Sequence, residues 1–169
     1  YEKKEGFQHS LKNLLVRKQK TKEAVKNISF DIDSGDIIGF LGPNGAGKTT
    51  TLKMLSGILY PTSGEVHVLG YCPWKRQKEF KMKYSMVLGQ KSQLWPDLPA
   101  SETFRLNQYI YEVDERKCKM LLDELTEYLD VKHLLNVQVR RLSLGERMKL
   151  ELIASLIHSP QLIFLDEPS

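Results

Sequence analysis

The sequence predicts an α/β fold in which short buried strands alternate with amphipathic helices, and two patterns predict it. The apolar runs at residues 37–41 (IIGFL) and 162–165 (LIFL) are too short for helices and lead into a glycine and an acid, as buried strands that deliver loops to a site do. Between them, Leu52, Leu55 and Leu59 recur at helical spacing, and so do Leu121, Leu125, Tyr128 and Leu129, the signature of helices with one apolar face. The resulting order of strand, loop, helix and strand is that of a layered α/β domain.

Taken in chain order, residues 1–26 form a basic lead-in, with Lys12, Arg17, Lys18, Lys20, Lys22 and Lys26 among polar neighbours and no sustained period. The segment reads as solvated chain or, alternatively, as a lipid or partner surface. Ile28, Phe30 and Ile32 alternate with Ser29 and Asp31, which predicts a half-buried strand. Ser34, Gly35 and Asp36 predict a turn, and residues 37–41 a buried strand. A helix follows the loop GPNGAGKTT and runs toward Pro61 and Gly64, after which residues 65–69 predict another short strand. Residues 114–129 predict an amphipathic surface helix. Ser143 and Glu146 have the S-x-x-E spacing of a capping box, so a further helix opens there, carries Leu152, Ile153 and Leu156, and stops at Ser159 and Pro160. Residues 162–165 then form a strand that runs into Asp166 and Glu167.

Composition removes several function classes. With 41% apolar and 27% charged residues and a mean hydropathy of −0.37, the chain is an ordinary globular sequence. Its 25 basic and 21 acidic residues leave a net charge of +4, too mild to single out nucleic acid, and no nucleic-acid partner is expected. Cys72 and Cys118 have no CxxC partner, so neither a disulfide framework nor a zinc site is expected. No apolar run approaches the roughly 18–20 residues that span a bilayer, so the chain is not expected to cross a membrane itself. The opening YEKKEGF lacks an initiator Met and an apolar h-region, so no signal peptide is indicated and the first residue reads as internal to a longer protein.

Residues 42–49 match G-x-x-x-x-G-K-[ST] between a predicted strand and a predicted helix, the context this motif requires. Gly42, Gly45 and Gly47 let the backbone of the loop, with Pro43, Asn44 and Ala46 between them, approach phosphate oxygens, and the helix that follows presents a favourable dipole to an anion. Lys48 supplies positive charge, Thr50 follows in the binding segment, and the Thr49 hydroxyl is placed to ligate Mg2+ on the terminal phosphates of ATP. The bland alternative is a glycine-rich turn with a solvated lysine. At the other apolar strand, Asp166 would hold the same Mg2+ and Glu167 would polarise the attacking water. An acidic pair after a strand is, taken alone, usually a helix cap.

These two motifs indicate a P-loop NTPase, and LSLGE at residues 142–146, about twenty residues before Asp166, resembles the signature of the ABC family. The order of Gly-rich loop (Walker A), Gln90 in the Q-loop position, signature and acidic strand (Walker B) is the family's, and the resemblance covers residues 24–169. The wording PTSGEVHVLGYCPWKR, GQKSQLWPDLPASETF and RRLSLGERMKLE looks like a bacterial subgroup of ABC ATPases grouped with efflux-type systems. The resemblance implies a RecA-like P-loop core with an N-terminal antiparallel β subdomain and an inserted helical subdomain, incomplete at the C-terminus. On that layout residues 27–90 hold the β subdomain and Walker A core, 91–145 the helical subdomain, and 146–169 the signature helix and Walker B strand.

The resemblance also implies roles. Gln90 would touch Mg2+, while Ser143, Gly145 and Glu146 would approach the ATP held by a second such domain. Catalysis would rest on Lys48 and Glu167. The implied function is the ATP-hydrolysing subunit of a membrane exporter, at the cytoplasmic face of the membrane. Its partners would be a second nucleotide-binding domain, identical or not, and permease subunits docking near residues 90–98.

Several positions depart from the family pattern. Leu144 replaces a glycine, and Glu146 puts a carboxylate where a neutral amide is usual. No aromatic residue lies about 29 positions before Lys48, around Gln19, to stack on adenine. The D-loop and switch histidine that follow Walker B in the family would lie beyond Ser169, so the 169 residues alone are expected to show little or no turnover. His9, His67, His133 and His158 read as surface or core polar residues, and Trp74 and Trp95 as packing residues. The competing function is a soluble ABC ATPase acting in translation or DNA metabolism. About 95 residues between Lys48 and Ser143 leave no room for a long coiled coil. A third reading is a chain that binds nucleotide without turnover or folds incompletely.

Overall fold

The computed structural model describes residues 23–89 and 92–166, which belong to two units, 1–47 and 48–169. In the first unit the turn expected at Ser34 to Asp36 forms. The Asp36 N–H donates to the Asp33 carbonyl at 3.2 Å, and the Asp33 N–H donates back to Asp36 Oδ2 at 3.1 Å. Phe30 and Phe40 meet edge-on with centroids 5.6 Å apart. The strands expected at 28–32 and 37–41 have no ladder among the described residues. Ile37 and Leu41 are 99% and 96% exposed. The apolar alternation specifies a face, but a strand exists only through ladder bonds to a partner, and among the described residues none forms there.

In the second unit α1 (Lys48–Leu55) opens directly from the Gly-rich loop. It is shorter than the spacing of Leu59 suggests. Gly57, at φ +74°, turns the chain out of the helix. Its N–H donates to Met54 C=O at 3.1 Å and the Ile58 N–H to Lys53 C=O at 2.9 Å, the two-bond glycine termination of helices. A Cβ on Gly57 would lie 2.3 Å from the Pro73 carbonyl oxygen. Gly57→Ala combines left-handed strain with a backbone clash, and it is expected to lower the stability of the full-length protein by on the order of 2–4 kcal/mol. A urea midpoint unchanged from wild type would contradict that.

The strand expected at 65–69 is replaced by a tight hairpin turn. Val68 and Tyr71 exchange both backbone bonds at 2.8 and 2.9 Å, and the two residues between them, Leu69 and Gly70, sit at φ +52° and +78°, as a two-residue hairpin loop of this twist requires. Pro73–Lys75 forms a 3-10 turn and Lys78–Lys81 the short α2. Next come β1 (Tyr84–Leu88), α3 (Ala100–Ile110), α4 (Glu115–Tyr128), α5 (Leu144–Leu156) and β2 (Leu162–Asp166). Strands β1 and β2 pair in parallel, Tyr84 opposite Leu162 through Leu88 opposite Asp166.

Helix α4 starts where expected, because the Asp114 side chain accepts the Lys117 N–H at 3.1 Å. Its inner face carries Cys118 and Thr126, with Leu122, Leu125 and Leu129 against the core. Tyr128, expected on that face, is 85% exposed. Helices α3 and α4 both pack on α5, and α5 packs on β1. Phe104, Val131, Val139, Leu150, Ile153 and Ile157 form the centre of this core. A second apolar layer runs through Phe80, Tyr84 and Phe164, with ring centroids 4.7 and 5.8 Å apart. No helix among the described residues is long and apolar enough to cross a membrane.

His158 fastens the end of the α5 segment to β1. Its ring stacks on Tyr111 at 3.8 Å, and Nε2 lies 3.2 Å from the Tyr84 carbonyl. Burial pushes its pKa below the usual histidine value, against a smaller upward effect of that carbonyl. An imidazole that is harder to protonate in the folded state gives stability that is present above the unfolded value of about 6.5 and lost as pH falls below it. The urea midpoint of the full-length protein is therefore expected to drop further between pH 7.5 and pH 5.5 in wild type than in His158→Gln. Equal drops would rule the linkage out.

Candidate functional site

The Gly-rich loop divides between the two units. In the first, the Ala46 N–H donates to Pro43 C=O at 3.1 Å, closing the turn at Asn44 and Gly45. Gly47 has φ +94°, and a Cβ there would lie 2.5 Å from the Ala24 carbonyl oxygen. Only glycine fits that close approach. In the second unit, Lys48, Thr49 and Thr50 form the first turn of α1 and are half-buried.

The Thr49 hydroxyl donates to Asp166 Oδ1 at 2.8 Å across 117 residues of sequence. Three local features produce this contact. The Gln161 N–H donates to the Lys83 carbonyl at 2.7 Å, setting the register at which β2 joins β1. The parallel ladder then carries β2 to Asp166, whose carbonyl accepts the Gly89 N–H at 2.9 Å. Helix α1 packs on β2, so its N-terminus meets the carboxyl end of that strand, the edge at which α/β sheets bind ligands. A hydroxyl and a carboxylate side by side are hard oxygen donors of the kind Mg2+ takes, and the helix N-terminus favours an anion next to them. The predicted pair Thr49 and Asp166 is thus brought together. Gln90 and Glu167 lie outside the described residues.

The signature residues form a second cluster at the start of α5. Ser143 caps the helix: its Oγ accepts the Glu146 N–H at 3.3 Å, while its own N–H and O–H donate to Glu146 Oε2 at 2.8 and 2.7 Å. The Ser143 hydroxyl and then its N–H hold the Glu146 carboxyl below its ordinary pKa. Leu144 and Gly145 are exposed in the first turn. Among the described residues no hydrogen bond joins this cluster to Thr49 or Asp166.

One connection was not legible in the sequence. The Val139 N–H donates to Leu98 C=O at 3.1 Å and the Arg140 N–H to Pro96 C=O at 2.9 Å, and Arg140 pairs with Asp97 at 3.0 Å. Residues 96–98 are thereby tied to Val139 and Arg140, just ahead of residues 142–146. Trp95 in that segment is 55% exposed, so its expected packing role does not hold. Trp74 does pack, with its ring 5.8 Å from that of Tyr60. His67 and His133 are exposed.

A strand-end carboxylate bonded to the hydroxyl of a Gly-rich loop that opens a helix is the arrangement of a P-loop nucleotide-binding protein. Residues 25–169 match the ABC transporter family, and the chain belongs to that family. It is 36% identical over its full length to the cholesterol transporter ABCA5 of Mus musculus, of which it covers 10%. It is 32% identical to the ABC transporter ATP-binding protein NatA of Bacillus subtilis (strain 168), over 90% of this chain and 62% of that protein. With the bacitracin transport ATP-binding protein BcrA of Bacillus licheniformis it shares 32% identity, over 92% of this chain and 49% of that protein. The chain therefore spans less than two thirds of the length of these relatives. A solved ATP-binding subunit of an ABC transporter superposes with a TM-score of 0.79 at 23% identity, over 88% of this chain and 62% of that one, which confirms the P-loop fold.

Proposed function

We propose that the protein containing this chain hydrolyses ATP as a subunit of an ABC membrane transporter working in the export direction. The observation that carries the reading is the 2.8 Å bond between Thr49 and Asp166, one residue from each of the two motifs, within a chain of the ABC family. In this reading the loop 42–47 and Lys48 take the phosphates of ATP. Thr49, Asp166 and Gln90 would hold Mg2+, whose chemistry there would be to neutralise phosphate charge. Glu167 orients the attacking water and accepts its proton.

Ser143 and Gly145 meet the ATP of a second nucleotide-binding domain. The residues from 90 to 98 receive the permease at the cytoplasmic face of the membrane. Exposed Trp95 and the backbone bonds from Leu98 and Pro96 to the pre-signature turn support that docking segment, because they give a bound partner a mechanical path to Ser143. A transport role is supported by the likeness to the bacitracin transport ATP-binding protein, and export by the resemblance of the sequence to efflux-type ABC ATPases. The expected result is that the full-length protein co-purifies with a polytopic membrane subunit and shows Mg-dependent ATP hydrolysis. Co-sedimentation with ribosomes, with no membrane subunit recovered, would overturn the transport assignment.

A further inference from the structure

We infer that Glu146 tunes the signature as a positioning residue, a built-in carboxylate that the γ-phosphate of ATP must displace from Ser143 before two nucleotide-binding domains close. The inference rests on the reading that Ser143 meets the nucleotide of a second domain. It is carried by the hydrogen bonding of one oxygen. Glu146 Oε2 accepts both the N–H and the O–H of Ser143, at 2.8 and 2.7 Å. A hydroxyl has a single proton to donate. While that proton points at Glu146, the Ser143 side chain has none for a phosphate oxygen, and its Oγ is engaged as acceptor of the Glu146 N–H at 3.3 Å.

The charge of the group matters as well as its reach. The two hydrogen bonds from Ser143 favour the ionised form of Glu146, so an approaching phosphate meets a like charge within a few ångströms. Lys149, which also donates to the Leu129 carbonyl at 2.9 Å, and His133 are nearby cationic groups that favour the same ionised form. A glutamine at 146 would keep the reciprocal cap, since its amide oxygen accepts the Ser143 N–H, but it would remove the charge and weaken the hold on the hydroxyl. Glu146 therefore sets a threshold that only a nucleotide with a γ-phosphate has to overcome, and closure on ATP is weaker with the carboxylate than with an amide at 146.

The test is steady-state ATP hydrolysis by the full-length protein in its membrane complex, for wild type, Glu146→Gln and Ser143→Ala, at about 50 and 500 mM salt. Glu146→Gln is expected to lower half-saturating ATP by about three- to tenfold at low salt. The gain should shrink at high salt, where the like-charge term is screened. A purely structural cap would move stability and leave this salt-dependent KM shift absent. If Glu146→Gln leaves half-saturating ATP unchanged while Ser143→Ala raises it, the inference fails and the signature reading stands. If neither variant moves it, the assignment of Ser143 to the nucleotide fails, and the inference falls with it.

Discussion

Asp166→Asn in the full-length protein is expected to lower Mg-dependent ATP turnover by about a hundredfold and to raise the Mg2+ concentration needed for half-maximal rate by about 10- to 100-fold. The geometry makes the substitution a clean one. An asparagine keeps an oxygen in reach of the Thr49 hydroxyl, now 2.8 Å from Asp166 Oδ1, and the backbone carbonyl at 166 still accepts the Gly89 N–H. Only the charge is withdrawn, and an uncharged amide is a much poorer ligand for a hard divalent cation. Stability should therefore change by no more than about 1 kcal/mol, and nucleotide binding without metal should be retained. Thr49→Ser, which keeps the hydroxyl, should stay near wild type, whereas Thr49→Val should resemble Asp166→Asn. Wild-type turnover in Asp166→Asn at unchanged Mg2+ would remove Asp166 from the metal site.

How much of this site could be read in the sequence depends on whether the cause was local. The capping box of Ser143 and Glu146 was legible because both partners lie within one helical turn. The strand ending in Asp166 was legible because an unbroken apolar run followed by an acid has few other uses. Its pairing partner β1 was not recognised. Tyr84 and Ser85 interrupt the apolar signal, although Ser85 and Val87 are the inward residues. Helix α3 was hidden for a different reason: Leu106, Tyr109 and Ile110 lie on its exposed side, so its apolar residues do not mark the buried face, which carries Ala100, Thr103 and Phe104. At α1 the spacing of Leu59 argued for a longer helix, and Gly57 prevailed because only it tolerates the left-handed turn beneath Pro73. The alternation at Ile28, Phe30 and Ile32 was a sound local signal for a strand whose formation is decided by a non-local partner.

Lys48 presents the same tension between local preference and function, and its removal is the second large effect expected. A cation in the first turn of a helix opposes the helix dipole, and lysine is a slightly poorer helix former than alanine. Neither local preference favours lysine over alanine at the start of α1. The loss should appear instead in nucleotide binding. One charge-assisted hydrogen bond to a phosphate is worth about 1.5–3 kcal/mol, so ATP affinity is expected to fall by about 10- to 150-fold, and turnover at sub-saturating ATP by at least that factor. Lys48→Arg should recover only part of it, because a planar guanidinium fork does not reproduce the compact point charge of an ammonium. Isothermal titration with ATP, alongside a urea melt of each variant, separates the two effects. A large fall in stability with unchanged ATP affinity would mean that Lys48 serves the helix and not the phosphates.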